Sequence, residues 1–275
     1  MATTTVRGRR PALAAGLATM AMALGFAAVP AVAAPPPQTA YVALGDSYAA
    51  GQGALPYTSG ACFVSRKGYP EIADNHRALE LTANAACSGA TTQKVLDEQL
   101  SQVPASTKLV TVTVGGNDLD TTGLLATCFT VPADCEQAAA EKGALLQKAM
   151  TNPDESALVQ GLASVSLSIR NKVPNAKIVF TGYPMLFDPA FPDPRATRIN
   201  ELTAGLNSVI AAVAPATGAL YVDVAPAFAG HGIGSGAPWI NYDAANIFAP
   251  ANFHPNGEGY RHGYYASMVG TLTNP

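Results

Sequence analysis

The chain has 275 residues, 48% of them hydrophobic and only 13% charged, with 16 Lys and Arg against 19 Asp and Glu. This composition excludes a disordered tail, a collagen-like fibre and a coiled coil. The formal net charge of −3 also argues against a nucleic-acid binder, which normally carries a basic surface. The chain is long enough for a substantial core, and no repeat or low-complexity linker interrupts residues 39–275, so we predict one domain there.

The amino terminus has the pattern of an export signal. Three arginines precede an apolar stretch over residues 12–29, and small residues follow at Ala31 and Ala33. We predict a signal peptide over residues 1–33, cleaved after Ala33, and a stiff proline-rich spacer over residues 34–38. A retained membrane anchor is the alternative, which the shortness of the apolar stretch disfavours. The chain is therefore expected to be secreted, without stable insertion into a membrane.

Short strands alternate with longer helices in the predicted order of elements. The apolar runs that predict strands are rich in β-branched residues and end at Gly or Pro, which is typical of strands buried on both faces. They cover residues 41–44, 81–85, 109–114, 177–181 and 220–224, the second being the weakest. The helical segments cover residues 69–79, 91–100, 136–150, 155–172, 195–213 and 258–271. This alternation predicts an α/β fold with a parallel sheet between helices, which binds ligands at the carboxyl ends of its strands.

The first polar cluster, residues 45–48, reads GDSY and directly follows the first predicted strand. A serine in this turn opens the next helix, so the hydroxyl of Ser47 lies at the carboxyl edge of the sheet, where it could act as a nucleophile. Ser and Asp are also the preferred N-cap residues, so an ordinary helix cap explains the cluster equally well.

Four cysteines, Cys62, Cys87, Cys128 and Cys135, make an even number in a chain expected to reach an oxidising compartment. Two disulfides are therefore predicted, and three pairings are open. We favour Cys62–Cys87 and Cys128–Cys135, because sequential pairs join separate loops without crossing the strand between them. A zinc site is the alternative, but no CxxC and no neighbouring His supports it.

Two glycine-containing clusters follow the next two strands. In the segment CSGAT, residues 87–91, the N–H of Gly89 can donate to an anion, although a plain turn explains the segment better by itself. In GGND, residues 115–118, Asn117 offers a neutral amide donor, and turn chemistry is the alternative. The position of Asn117 at the tip of a central strand favours a functional role.

The segment GYPMLF, residues 182–187, follows the fourth strand and is apolar. It either lines an acyl pocket, together with Tyr48 and Leu119, or packs against the sheet, and both interpretations stay open. Residues 188–195 and 228–250 are dense in Gly and Pro and are predicted to be irregular.

A late loop, residues 252–257, reads NFHPNG and precedes the last predicted helix. The imidazole of His254 suits a general base, because the ordinary pKa of histidine lies close to neutral pH. A lone histidine is more often structural, but the other three, His76, His231 and His262, lack a comparable setting.

The order and spacing of GDSY, CSGAT, GGND and the HPN loop strongly resemble the SGNH subgroup of the GDSL esterase/lipase family over about residues 40–268, and above all its secreted actinobacterial lipases and esterases. The resemblance implies a flavodoxin-like, three-layer α/β/α sandwich with a five-stranded parallel sheet. It implies that Ser47 is the nucleophile of ester hydrolysis and His254 its general base. The backbone N–H groups of Ser47 and Gly89 and the side chain of Asn117 would form the oxyanion hole.

The chain departs from the family three positions before His254, where an acid is usual and Ala251 stands. A backbone carbonyl of this loop, such as that of Ala251, could orient Nδ1 of His254 and complete a Ser–His dyad. Asp243, upstream in the same connection, could instead replace the acid. An inactive relative is the third alternative.

Asp46 and Asp118 flank the predicted catalytic groups. An aspartate beside a tight turn more often binds backbone N–H groups than transfers protons, so we predict that both hold their loops.

Three functions remain open. The first is a secreted serine ester hydrolase that acts on lipid or short-chain acyl esters, at a lipid interface or in solution. The second is a polysaccharide deacetylase of the same fold, and the third is a non-catalytic secreted binding domain, which Ala251 would permit. No cofactor or metal is expected, because no His, Asp or Glu cluster has ligand spacing, and a monomer is the default.

Overall fold

The computed structural model describes residues 1–5 and 37–274, and the elements below all lie in the second range. The predicted signal peptide, apart from its first five residues, and the spacer up to residue 36 lie outside the described residues. Within the described ranges, no helix is both long enough and apolar enough to cross a membrane.

The centre of the fold is a five-stranded sheet in which all neighbouring strands are parallel. In chain order the strands are β1 (Thr39–Gly45), β2 (Tyr57–Ser59), β3 (Val64–Ser65), β4 (Leu79–Asn84), β5 (Leu109–Thr113), β6 (Lys177–Thr181) and β7 (Leu220–Val222). The sheet has the order β4-β1-β5-β6-β7, and β2 and β3 form a separate antiparallel hairpin. All of β5 and the last five residues of β1 are buried, as expected for strands covered on both faces.

Two groups of mutually packed helices cover the sheet. In chain order the α-helices of residues 37–274 are α1 (Ser47–Ala50), α2 (Tyr69–Asp74), α3 (Thr92–Lys94), α4 (Thr121–Thr130), α5 (Cys135–Thr151), α6 (Ala157–Lys172), α7 (Pro194–Ala216) and α8 (Ala266–Thr273). The first group contains α3 to α7, and the second contains α2, α8 and the π-helical segment Gly259–Tyr265. The predicted α/β fold, a three-layer sandwich around a five-stranded parallel sheet, is therefore confirmed.

The helix α6 shows why the apolar spacing predicts these elements. Ser156 caps its first turn by accepting a hydrogen bond from the N–H of Val159 (3.4 Å). Its core-facing residues recur every three or four positions, which is the period of one helix face: Leu158, Leu162, Val165 and Ile169.

All predicted strands and helical segments are present, but three helical segments differ from their predictions. The segment predicted over residues 258–271 is π-helical over Gly259–Tyr265 and α-helical from Ala266 onward. The helix predicted over residues 69–79 ends at Asp74, because the Asn75 side chain donates to the Glu71 carbonyl (2.9 Å), and β4 already begins at Leu79. The segment predicted as one helix over residues 91–100 changes from α to π geometry at Val95.

The sequence does not predict α4 or the β2–β3 hairpin. The helix α4 contains Gly123 and four threonines, which are weak helix formers, so no helical pattern stands out. Contacts at its two ends stabilise the helix. The Asp120 side chain caps the first turn by accepting the N–H of Gly123 (3.1 Å), and a disulfide joins Cys128 in the last turn to Cys135 of α5. The helix forms one wall of a pocket.

Candidate active site

Ser47 lies at the carboxyl end of β1, as the first residue of α1, in a segment that we call the nucleophile turn (residues 45–53). Gly45 has a φ of +130°, and a Cβ at this position would collide with the carbonyl oxygen of Thr113 in β5. The N–H of Asp46 donates to the same carbonyl (2.9 Å), and the Asp46 side chain accepts from the N–H of Tyr48 (2.9 Å). These contacts hold the turn, and with it the Ser47 hydroxyl, against the central strands.

His254 reaches Ser47 from a segment that we call the base loop (residues 243–255). Its Nε2 lies 2.8 Å from Ser47 Oγ, and its Nδ1 lies 2.7 Å from the carbonyl oxygen of Asn252. Because a carbonyl oxygen can only accept, the neutral ring carries its proton on Nδ1. Nε2 is then free to accept the hydrogen of the Ser47 hydroxyl, which is the tautomer that a general base requires.

The pKa of His254 is controlled mainly by its surroundings in the site. Desolvation of the ring lowers its pKa from 6.5 to about 4, and the hydrogen bond to the Asn252 carbonyl, which favours the protonated ring, offsets only part of this effect. The imidazole is therefore neutral at neutral and mildly acidic pH.

The group that faces Nδ1 differs from both candidates named from the sequence. The Ala251 carbonyl accepts the backbone N–H of His254 instead (3.2 Å). The Asp243 carboxylate is exposed and accepts the N–H of Ala245 (2.9 Å) in a local turn. A loop carbonyl does face the ring, as one interpretation required, but it belongs to Asn252.

The backbone around Phe253 explains why the carbonyl of Asn252 is the one that faces the ring. Phe253 has a φ of +61°, in the left-handed region, and this conformation turns the chain so that the preceding carbonyl faces the His254 ring. A non-glycine residue rarely adopts this conformation, so no sequence pattern indicates it.

The Asn252 side chain organises the base loop. Its Oδ1 accepts the N–H of Asp243 (2.7 Å), and its Nδ2 donates to the carbonyls of Asp243, Asn246 and Ile247 at 2.9–3.2 Å. The side chain is buried and its polar atoms are thereby paired with the loop backbone. No local sequence pattern indicated this role of Asn252, because its partners are backbone groups brought together by the loop.

Of the three predicted oxyanion donors, Ser47 and Asn117 both line one pocket. Within residues 37–274, the backbone N–H groups of Ser47 and Gly89 have no protein acceptor. Gly89 adopts a φ of +75°, in a turn that the N–H of Ala90 closes on Cys87. One hydrogen of the Asn117 amide is donated to the Ala90 carbonyl (3.0 Å), which leaves the other available.

Disulfides join Cys62 to Cys87 and Cys128 to Cys135, which is the pairing that the sequence analysis favours. The first holds the chain two residues before Gly89, and the N–H of Cys87 donates to the Gly45 carbonyl (3.0 Å). The loop of Gly89 is therefore attached both to the hairpin region and to the nucleophile turn.

Asp46 and Asp118 bind neighbouring loops, as predicted. Asp46 accepts the Tyr183 hydroxyl (2.5 Å) as well as the Tyr48 N–H, and desolvation raises its pKa from 3.8 to about 7, partly offset by these hydrogen bonds. Asp118 accepts both the N–H (3.0 Å) and the hydroxyl (2.5 Å) of Thr92. Neither carboxylate forms a hydrogen bond with His254.

A pocket that is mostly apolar opens beside Ser47 and His254. Its walls come from α4, α7 and the segment after β6, and the apolar lining consists of Leu119, Leu124, Leu125, Pro184, Leu186, Ile199, Leu202, Leu206 and Phe253. Tyr48 and Asn117 also line it. The two interpretations of residues 182–187 therefore apply to different side chains, because Tyr183, Pro184 and Leu186 face the pocket whereas the Phe187 ring packs on Phe191 (5.1 Å between centroids).

Within the part of the chain that the structure describes, no group of three or more His, Cys, Asp or Glu side chains is arranged to hold a metal ion.

Comparisons with known proteins agree with the resemblance found in the sequence. A model of the GDSL-like lipase/acylhydrolase family matches residues 43–262. The chain is 36% identical over 268 residues to a lipase from Streptomyces rimosus, covering 93% of this chain and 96% of that lipase. It is 34% identical over 267 residues to Lipase 1 of Streptomyces coelicolor, covering 94% of each chain.

Two solved structures share the fold at 33% sequence identity. The extracellular lipase from Streptomyces rimosus superposes with a TM-score of 0.75 and covers 86% of this chain and 100% of its own. A phospholipase A1 from Streptomyces albidoflavus also superposes with a TM-score of 0.75 and covers 85% of this chain and 99% of its own.

The depressed pKa of His254 can be tested without any substrate. We expect the ring C–H resonances of His254, followed by NMR and assigned with the His254→Gln variant, to titrate with a midpoint near pH 4. The reason is that protonation places a charge in a desolvated site. A midpoint near the ordinary value of about 6.5 would contradict the burial argument.

Proposed function

This chain belongs to the GDSL-like lipase/acylhydrolase family and is a carboxylic ester hydrolase, and we propose that it cleaves lipid esters through an acyl-enzyme on Ser47 with His254 as general base. The observation that carries the proposal is the 2.8 Å contact between Ser47 Oγ and His254 Nε2. The other ring nitrogen, Nδ1, is held by the carbonyl of Asn252. A hydroxyl becomes a useful nucleophile when a neighbouring base can remove its proton.

In the proposed reaction, Ser47 Oγ attacks the ester carbonyl carbon while Nε2 of His254 takes the hydroxyl proton. The tetrahedral intermediate then breaks its bond to the leaving alcohol, which receives the proton from Nε2, and the acyl group remains on Oγ. A water molecule then attacks the acyl-enzyme while the same nitrogen takes its proton. The bond between the acyl carbon and Oγ breaks, the carboxylic acid is released, and Nε2 returns the proton to Oγ, which restores the Ser47 hydroxyl.

We assign the oxyanion hole to the N–H groups of Ser47 and Gly89 and the amide of Asn117. Support comes from the two N–H groups without a protein acceptor within residues 37–274, and from the anchoring of the Asn117 amide on Ala90. Such donors act because they are aimed before charge develops, and the loss of one typically costs about 10²–10³ in rate.

The Asn252 carbonyl takes the place of the usual acid in orienting His254. It holds the proton on Nδ1, as a carboxylate would, but it carries no charge with which to stabilise the imidazolium. The low pKa of the ring has a second consequence, because the base stays neutral down to about pH 4. Activity in mildly acidic surroundings is therefore part of the proposal.

The pocket supports an acyl chain as the group that is transferred. Along α7 it is lined from Ile199 to Leu206, a distance of about 10 Å at the rise of a helix. Its leucine-rich surface favours alkyl groups over sugar rings, which need many polar partners. The lipases and the phospholipase A1 that resemble this chain agree with lipid esters as substrates, in solution or at a lipid interface.

We also propose that the protein is secreted, with residues 1–33 as a signal peptide and residues 39–275 as the hydrolase domain. The arginines and the apolar stretch of the amino terminus support export. Two disulfides and the extracellular lipase of similar structure support it as well.

Covalent labelling tests the nucleophile. A phosphonate ester should form an adduct on Ser47, which mass spectrometry can locate. The Ser47→Ala variant should form no adduct, and its turnover should fall by a factor of at least about 10⁴. The exposed Ser101→Ala variant serves as the control and should behave like the parent. A folded protein without an adduct on Ser47 would favour a binding domain.

The substitution Asp243→Asn tests how His254 is oriented. We expect kcat/KM to stay within about twofold of the parent, because the Asp243 side chain accepts only a local backbone N–H, which Asn can also bind. Loss of a true triad carboxylate costs about 10⁴. If kcat/KM of Asp243→Asn fell by about 10⁴ while the melting temperature stayed the same, Asp243 would be the acid that orients His254.

Acyl-chain length tests the pocket. Across p-nitrophenyl esters, kcat/KM should rise about fourfold for each methylene until the pocket is filled, because a buried CH₂ contributes about 0.8 kcal/mol. Thr203→Trp, on the pocket wall, should shorten the preferred chain, whereas Ser208→Trp on the exposed face of α7 should not. A preference for acetyl esters, with activity on acetylated xylan, would instead support a deacetylase.

A further inference from the structure

We infer that the hydroxyl of Tyr48 is a positioning group that holds the base loop in the conformation in which the Asn252 carbonyl faces Nδ1 of His254. This inference rests on the proposed roles of Ser47 and His254, and it assigns Tyr48 a task that the family motif does not indicate. Tyr48 is the residue directly after the nucleophile, so one short segment would provide the attacking oxygen and orient its base.

The contact that carries the inference joins distant parts of the chain. The Tyr48 hydroxyl donates to the Phe253 carbonyl at 2.6 Å, across 205 residues of sequence. The Phe253 carbonyl belongs to the peptide between Phe253 and His254, so the hydrogen bond holds the backbone that leads directly into the base.

Through Phe253, the hydrogen bond of Tyr48 also restricts the orientation of the Asn252 carbonyl. The peptides on its two sides share its Cα, so their relative orientation depends on its φ and ψ angles. Tyr48 holds the carbonyl of the second peptide, and the φ of +61° directs the Asn252 carbonyl of the first peptide to His254 Nδ1 (2.7 Å). Because a left-handed conformation is unfavourable for a residue with a Cβ, it persists only where surrounding contacts enforce it.

The Phe253 side chain is held on its other side by aromatic rings. Its ring centroid lies 5.5 Å from that of Phe129, 5.7 Å from Tyr242 and 6.3 Å from Phe187. With the ring anchored in this cluster and the carbonyl bound by Tyr48, the main-chain rotations of Phe253 have little freedom. Loss of the hydroxyl would release one of these two restraints and keep the other.

A conservative variant can separate the hydroxyl from the ring. The Tyr48 ring packs at 5.1 Å from the His254 ring and 5.1 Å from the Tyr183 ring, and Tyr48→Phe retains both contacts. Burial raises the pKa of Tyr48 further above its ordinary value, so the phenol is neutral and the variant removes no charge. The other titratable groups that line the pocket, Asp46, Tyr183 and Lys142, are unchanged in it.

Without the hydroxyl, Phe253 can relax and the Asn252 carbonyl can leave Nδ1. The ring can then carry its proton on Nε2, and that tautomer cannot accept the Ser47 proton. In the parent protein, the hydrogen bond between Nδ1 and the Asn252 carbonyl favours the protonated ring. Loss of this bond therefore lowers the pKa of His254 further. These changes distinguish a positioning role from a general loss of stability.

The experiment compares Tyr48→Phe with Tyr41→Phe. Tyr41 is fully buried in β1, and its hydroxyl pairs with Thr111 Oγ1 (2.7 Å), so the control also removes one buried tyrosine hydroxyl. For Tyr48→Phe we expect kcat to fall about 10- to 100-fold with little change in KM. We also expect the acid limb of the pH profile of kcat/KM to move to lower pH. The Nδ1–H resonance of His254 should shift or exchange faster with water. Tyr41→Phe should lower the melting temperature without these three effects.

Unchanged kcat, acid limb and Nδ1–H resonance in Tyr48→Phe would overturn the inference, and so would equal losses of kcat in the two variants. Failure of the proposed function has a different signature, namely a parent protein without esterase activity and without a phosphonate adduct on Ser47. In that case the Nδ1–H resonance of His254 still decides whether Tyr48 positions the loop, because it is measured without substrate.

Discussion

The close packing of the nucleophile turn against the base loop is the constraint on which the rest of the site depends. No room exists for a side chain at Gly53, where a Cβ would lie 2.9 Å from that of His254. A hydrogen bond crosses the same boundary, from the Gln52 side chain to the Pro250 carbonyl (2.5 Å). Just before the base loop, the Asn241 side chain donates to the carbonyls of both Gly53 (3.1 Å) and His254 (2.9 Å) and so bridges the two segments. Because Ser47 and His254 are 207 residues apart in sequence, these contacts set the distance between them.

The same turn is connected on its other side to the loops that carry the proposed oxyanion donors. Both backbone groups of Gly45 are paired with the Gln99 side chain (2.8 Å each), and the Gly45 carbonyl also accepts the N–H of Cys87 (3.0 Å). Asp118, next to the proposed donor Asn117, binds Thr92. A preorganised site needs its donors fixed before charge appears, and in the proposed oxyanion hole these buried and partly buried hydrogen bonds between loops would provide that rigidity.

Most of the fold could be predicted from local patterns. A buried parallel strand is encoded by a short run of β-branched residues, and a helix such as α6 by apolar residues that recur every three or four positions. Both patterns are visible in the sequence. The helix α4 leaves neither, because its threonines and Gly123 give it a weak propensity, and it depends on Asp120, on a disulfide and on packing against α5. Part of the pocket beside Ser47 therefore could not be predicted from the sequence, since Leu124 and Leu125 belong to this helix.

By itself, the sequence determined the chemical groups of this protein: the hydroxyl of Ser47, the imidazole of His254 and the amide of Asn117. These are properties of side chains, and their spacing along the chain follows the order of the strands. Only the tertiary structure decided which group orients the His254 ring. Every residue carries the same carbonyl, and its direction depends on backbone rotation at Phe253 and on contacts with segments far away in sequence.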